Sequence, residues 1–155
     1  MNMKQYFGLF LLLGILVACG KDKFETKPQL TLKSVNNNEV PYNGNLVVSL
    51  GFTDKEGDVS DSIYVIRERL NIRRHLSPPA LEYAIPEFPN RNQGEFEVNI
   101  NFLSLINGMT SIEVLPRTTP ATFEQDTLRL KFVAKDKAGN FSDTLLVNDI
   151  FVERR

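Results

Sequence analysis

The sequence has very few of the residues that build disulfides, zinc sites and histidine-based active sites. Its 155 residues include one cysteine, Cys19, and one histidine, His75. A lone cysteine cannot close an internal disulfide, and a zinc site needs several Cys or His ligands. Ser-His-Asp catalysis would depend on His75, and no Gly-x-Ser-x-Gly elbow accompanies it. The sequence therefore predicts no catalytic residues and a protein that is not an enzyme. Paired carboxylates of the glycosidase type stay open as an alternative, beside the simpler interpretation of Glu95 and Glu97 as solvating acids.

Long hydrophobic runs are also missing, apart from one short stretch at the N-terminus. Lys4 precedes an apolar run from Tyr6 to Val17 that only Gly8 and Gly14 interrupt. As a helix this run would be roughly 18 Å long, which is too short for a hydrocarbon core of about 30 Å. A short basic start followed by a short apolar core is typical of a secretory signal that is later removed.

The end of the apolar run carries a more specific motif. Leu16-Val17-Ala18-Cys19, followed by Gly20 and polar residues, resembles the lipobox of bacterial lipoproteins. The resemblance implies that the Cys19 thiol receives diacylglycerol, that the signal is cut before Cys19, and that the new amine is usually acylated. Two or three acyl chains anchor a protein much more firmly than one. The alternative is an ordinary signal peptide with a stray cysteine.

These features divide the chain into a lipoprotein signal peptide (1–18), a lipidated tether (19–27) and one folded domain (28–155). Removal of Lys4 with the signal leaves 17 basic against 19 acidic residues, a net charge of −2. A nearly neutral chain of this kind is not expected to bind nucleic acid. By analogy with lipoproteins, Gly20 after the lipidated cysteine offers no inner-membrane retention signal. We therefore expect a cell-envelope protein held in the membrane by its lipid, with the outer membrane favoured over the inner.

The expected folded domain shows apolar residues with a period of two. Three segments alternate cleanly between apolar and polar positions, as strands with one buried and one solvated face do. The clean segments are Leu46–Phe52, Phe96–Phe102 and Leu128–Ala134, and weaker candidates are Gln29–Val35, Ser62–Leu70, Ile112–Leu115 and Leu145–Val152. Leu103 to Ile106 predicts a single helical turn at most. About seven strands separated by turn signals predict an all-β fold, a single antiparallel immunoglobulin-like sandwich.

Two short motifs resemble bacterial immunoglobulin-like domains. The segment from Phe132 to Asp143 is similar to the final hairpin of such domains, and the segment from Phe52 to Val59 is similar to the acidic loop after their second strand. Together with the lipobox at Cys19, they resemble small lipoproteins of Bacteroidota, many of which have no assigned activity. The sequence lacks the tryptophan and the cysteine pair that are characteristic of antibody domains.

The acidic loop is the candidate metal site. Asp54, Glu56 and Asp58 alternate around Gly57, and an immunoglobulin-like topology would bring Asp136 of the final hairpin to the same pole. Carboxylates and loop carbonyls are the oxygen ligands that calcium prefers. The sequence therefore predicts calcium as the one possible cofactor. The alternative is a plain turn, because Asp and Gly are common turn residues.

Two classes of function follow from a small anchored domain of this kind. The first is a non-enzymatic binding or adhesion module for a glycan or an unknown envelope protein. The second is a structural subunit of an outer-membrane protein complex, with edge strands as its interface. Two roles stay open for a group of aromatic residues: they could form a platform for sugar rings, or they could anchor the core and the loops. These residues are Tyr42, Tyr64, Tyr83 and Phe88. Two interpretations also stay open for a local group of arginines: a solvated strand face with its loop, or a functional basic patch. The group consists of Arg67, Arg69, Arg73 and Arg74.

Overall fold

The computed structural model describes residues 25–72, 75–89, 91–109 and 124–154. Strands account for about half of these residues and helix for only five of them, so the predicted all-β class is confirmed. The elements are β1 (Gln29–Val35), β2 (Glu39–Val40), β3 (Asn45–Thr53), β4 (Ser62–Arg69), β5 (Leu81–Ala84), β6 (Gln93–Asn101), α1 (Phe102–Ile106), β7 (Asp126–Lys135) and β8 (Leu145–Val152). The short strands β2 and β5 were not predicted. The predicted strand Ile112–Leu115 lies outside the described residues.

The strands form two sheets that share one hydrophobic core. The smaller sheet has the order β1-β3-β6 and is antiparallel throughout. The larger sheet has the order β2-β8-β7-β4-β5, and its β2–β8 pair is parallel. Within the described residues there are thus eight strands, where the sequence predicts about seven, and their pairing is not purely antiparallel.

The core explains why the alternating segments became strands. In β3, Leu46, Val48, Leu50 and Phe52 are all buried, and in β7 the residues at every second position from Asp126 to Ala134 are buried. Both runs contribute to the same cluster of buried side chains, together with Val98 of β6. Burial of a large aliphatic or aromatic side chain contributes about 1.5–3 kcal/mol, so this pattern sets the strand register.

Hydrogen bonds from side chains hold both ends of the short helix α1. The Asn101 side chain accepts a hydrogen bond from the Ser104 amide at 2.8 Å and caps its N-terminus. At the other end, the Arg67 guanidinium donates to the carbonyls of Ser104 and Asn107, the latter at 3.1 Å. Leu105 is completely buried. The predicted single turn is therefore present and is fastened to β4.

The arginines of β4 are not on a solvated face. Arg67 and Arg69 are almost completely buried, on the same face of the strand as Ile63 and Val65. The sequence left two interpretations open for these arginines, a solvated strand face and a functional basic patch. Both are wrong for Arg67 and Arg69, because both residues are buried. Arg73 and Arg74 lie outside the described residues.

The domain has two distinct ends. The loop between β3 and β4, the hairpin between β7 and β8, and Glu25 meet at one end, which we call the acidic pole. The turn before β3, helix α1 and the segment after β4 lie at the other end, which we call the helical pole. Within the described part of the chain, no helix is long and apolar enough to cross a membrane.

Candidate functional site

The loop after β3 begins the candidate site at the acidic pole. The amide of Asp54 donates to the carbonyl of Asn92 at 2.8 Å, which holds the end of β3 against the start of β6. Gly57 has a positive φ of 70°, a conformation that glycine adopts without the steric cost of a side chain. The chain bends back, and the amide of Asp58 donates to Asp54 Oδ2 at 2.9 Å. The bend therefore places Asp58 beside Asp54.

The β7–β8 hairpin supplies the third acid. Asp136 Oδ1 accepts from the backbone amide of Asn140 at 2.7 Å, and its Oδ2 accepts from the Asn140 side-chain amide at 2.9 Å. Gly139 has a φ of 92°, and its amide donates to the Asp136 carbonyl at 3.1 Å. These hydrogen bonds fix Asp136 within the turn. Its side chain is almost completely buried.

Backbone hydrogen bonds fasten the hairpin to the loop. The Lys137 amide donates to the Asp58 carbonyl at 3.0 Å, and the Ala138 amide donates to Asp58 Oδ2 at 3.1 Å. As a result, Asp54, Asp58 and Asp136 each offer a carboxylate oxygen, and these oxygens lie within 4.8 Å of one another.

The negative charge of this cluster is only partly compensated by hydrogen-bond donors among the described residues. Asp54 is completely buried, and its Oδ1 finds no hydrogen-bond donor among the described residues; neither does the buried Oδ1 of Asp58. Burial raises the pKa of the Asp54 carboxyl, the amide of Asp58 opposes this rise, and the neighbouring acids Asp58 and Glu56 add to it. Buried charge without a compensating partner is costly. The arrangement therefore favours whatever brings positive charge to these oxygens.

Of the four acids predicted as metal ligands, the structure brings three together. Asp54, Asp58 and Asp136 share the cluster, whereas Glu56 is exposed and is not one of its members. Asp61, which follows in the same loop, pairs instead with Lys135 at 3.1 Å. The predicted loop therefore contributes Asp54 and Asp58 to the cluster, and Glu56 does not belong to it.

A second charged cluster, at the far end of β7, was missed by the sequence analysis. Asp126 is completely buried; Arg69 Nε donates to its Oδ1 at 2.6 Å, and Arg154 Nε lies 2.8 Å from its Oδ2. Arg154 also donates to the carbonyl of Met109 at 2.6 Å. A signal for this cluster was present, because Asp126 continues the buried phase of β7 and Arg69 continues that of β4.

The four aromatic residues considered as a sugar platform are dispersed. Tyr83 packs against the core from β5, while Tyr64 of β4 lies on the opposite face of that sheet and donates to Glu82. His75 is exposed in the segment after β4. The ring contacts of the other aromatics are Tyr42–Phe102 with centroids at 5.0 Å, Phe52–Phe88 at 4.9 Å and Tyr64–Phe141 at 6.3 Å. These contacts agree with anchoring roles.

Comparison with known proteins assigns no family. No family model matches the chain, and a search of curated proteins finds no match. Among solved structures, the chain is similar to a β-glucosidase from Listeria innocua in complex with gluconolactone, at a TM-score of 0.36 and 13% identity over 83% of this chain and 16% of that one. A sporulation control protein from Bacillus subtilis, Spo0M, has a TM-score of 0.34 and 11% identity over 83% of this chain and 50% of that one. The chain therefore spans about one sixth of the glucosidase.

Proposed function

We propose that the protein is a lipid-anchored envelope protein whose β-domain acts as a non-enzymatic binding or adhesion module. The observation that carries this proposal is the motif Leu16-Val17-Ala18-Cys19-Gly20 directly after a short apolar run. The domain itself fits an immunoglobulin-like sandwich, because the acidic loop and the final hairpin that resemble such domains meet at one pole. The membrane is then the first partner, through the lipid on Cys19.

The way in which the chain enters the domain supports a definite orientation. The Glu25 carbonyl accepts from the Lys55 amide at 3.0 Å, Lys27 pairs with Asp143 at 2.9 Å, and Pro28 is buried. Contacts with the domain thus begin before the predicted end of the tether at residue 27. Six residues span from Cys19 to Glu25, a distance of at most about 20 Å. A lipid on Cys19 would therefore keep the acidic pole near the membrane and direct the helical pole away from it.

The helical pole has the surface that a binding module would use. Leu103 of α1 is 68% exposed and Ile72, in the segment after β4, is 95% exposed. Tyr42, whose ring packs at a tilt against that of Phe102, is 42% exposed at the turn before β3. Apolar and aromatic side chains exposed at the same end of a domain can form a contact surface for proteins or sugars. We therefore place the contact with an envelope protein or a glycan at this pole.

A structural subunit of an outer-membrane complex is the second candidate. One observation favours it: β1 is a seven-residue edge strand that, among the described residues, pairs only with β3. An open edge of this length can accept a strand from a partner. Leu32 lies on this strand with its side chain exposed.

The lipid anchor is tested by replacing the modified cysteine. In cells that express the Cys19→Ala chain, we expect no metabolic labelling with palmitate and a protein that is uncleaved or released from membranes. The thiol is the only acceptor for the diacylglycerol, so the loss should be complete. The unchanged chain is the positive control. Labelling that persists in Cys19→Ala would disprove the anchor.

The binding surface is tested by charge substitution at the helical pole. We expect Leu103→Asp to abolish co-purification of partners from cross-linked membranes, or binding on a glycan array, because a carboxylate is poorly accommodated in an apolar contact. The residue lies in the first turn of α1, where an acid is tolerated. The matched control is Leu146→Asp on β8, which is 48% exposed. Equal loss of binding in Leu103→Asp and Leu146→Asp would contradict the assignment of the binding surface to the helical pole. Loss of binding only in a third variant, Leu32→Asp, would also contradict it and would favour the structural subunit.

A further inference from the structure

The acidic pole contains a site whose charge is not satisfied by the described residues. Three carboxylates converge, and two of their buried oxygens, Oδ1 of Asp54 and Oδ1 of Asp58, find no donor there. We propose that Asp54, Asp58 and Asp136 bind one calcium ion. This inference does not rest on the lipid at Cys19, since the three residues belong to the folded domain.

The spacing of the oxygens fits calcium. Calcium binds oxygen ligands at 2.3–2.6 Å, so that ligands on opposite sides of the ion stand about 4.6–5.2 Å apart. The three carboxylates offer oxygens within 4.8 Å of one another. Since calcium takes 6–8 oxygen ligands, backbone carbonyls and water would complete the sphere. Magnesium usually keeps several waters and takes only one or two protein carboxylates, so a set of three carboxylates favours calcium.

The carboxylates are oriented before any ion enters. One oxygen of each is held by a backbone amide: that of Asp58 for Asp54, that of Ala138 for Asp58, and that of Asn140 for Asp136. Hydrogen bonds of this kind fix ligand orientation in metal sites. The remaining oxygens of Asp54 and Asp58 are the ones without donors.

A proton shared by Asp54 and Asp58 is the competing way to relieve the repulsion. Burial raises the pKa of Asp54 because its carboxylate is poorly solvated, and either a proton or a cation would relieve that cost. One proton would leave two negative charges in the same small volume, whereas a divalent cation would leave only one. The ion would also clamp the β3–β4 loop to the β7–β8 hairpin.

The test is the calcium dependence of thermal unfolding of the full chain, purified in detergent. We expect the melting temperature in saturating calcium to exceed that in EGTA by roughly 5–10 °C, since an ion that binds only the folded state stabilises it. Titration calorimetry should give one ion per chain. A melting temperature that is indifferent to calcium, with no binding heat, would overturn the proposal in favour of the shared proton. An equal response to magnesium would overturn the assignment to calcium.

Variants identify the ligands. Asp54→Asn and Asp136→Asn should each lose the calcium-dependent rise, while Glu56→Gln, which removes the same charge from an exposed position in the same loop, should keep it. If Asp54→Asn does not fold, Asp136→Asn and the calorimetry of the unchanged chain decide. A full calcium response in a folded Asp136→Asn protein would remove this residue and the proposed site with it.

Discussion

Phe132→Ala is expected to lower the free energy of unfolding by about 3–5 kcal/mol, the usual cost of truncating a fully buried phenylalanine. Phe132 is completely buried in the middle of β7. Its strand neighbours are Val65 on β4 and Leu145 on β8, so the large sheet cannot close over the cavity without moving both. The loss combines the apolar surface returned to water with the cavity that remains.

Urea unfolding of the full chain measures this difference, provided that the transition stays two-state. The matched control is Phe141→Ala in the β7–β8 hairpin, because this phenylalanine is 52% exposed. Its ring contacts Tyr64, so we expect a loss of about 0.5–1 kcal/mol. A loss below about 0.5 kcal/mol for Phe132→Ala would contradict its place in the core.

Asp126→Asn is expected to be similarly damaging, by about 3–5 kcal/mol, although it changes almost no volume. The Asp126 carboxylate lies between the guanidinium groups of Arg69 and Arg154, at 2.6 Å and 2.8 Å. Both Arg69 and Asp126 are inaccessible to solvent. An amide would remove the negative charge that Asp126 supplies to the two buried cations, and removal of one partner from a buried ionic cluster costs far more than the intact cluster contributes.

The same unfolding experiment with Asp61→Asn provides the comparison. Asp61 pairs with Lys135 at 3.1 Å, but both side chains are about one third exposed. Solvent screens such a pair, and its loss should cost no more than about 1 kcal/mol. Equal effects in the two variants would show that the Asp126 cluster is solvated in solution.

Much of the strand layout could be predicted from periodicity alone. β1 and β8 have the predicted bounds, and the clean alternations became β3, β6 and β7. The strands that were missed are the two-residue β2 and the four-residue β5. A period of two cannot be recognised over so few residues. β2 exists because β8 offers it a parallel edge, and this pairing is a property of the assembled sheet.

The candidate cation site was predictable in its location and not in its membership. Turn chemistry and two short motifs placed Asp54, Asp58 and Asp136 on neighbouring loops. Which acids face each other depends on backbone conformation: the positive φ of Gly57 lets Asp58 donate to Asp54, and Glu56 remains exposed. Loop side chains have no fixed period, so their directions cannot be read from spacing.

The sequence by itself determined the all-β character of the domain, since alternating apolar residues can bury one face only as strands. Only the tertiary structure decided the fate of the charged residues. Arg67 and Arg69 look like a solvated basic run along the chain. They are buried because the carbonyls of α1 and the carboxylate of Asp126 come to them from distant segments. A buried charge is tolerated only where such partners compensate for lost hydration, and the partners come together only when the sheets have formed.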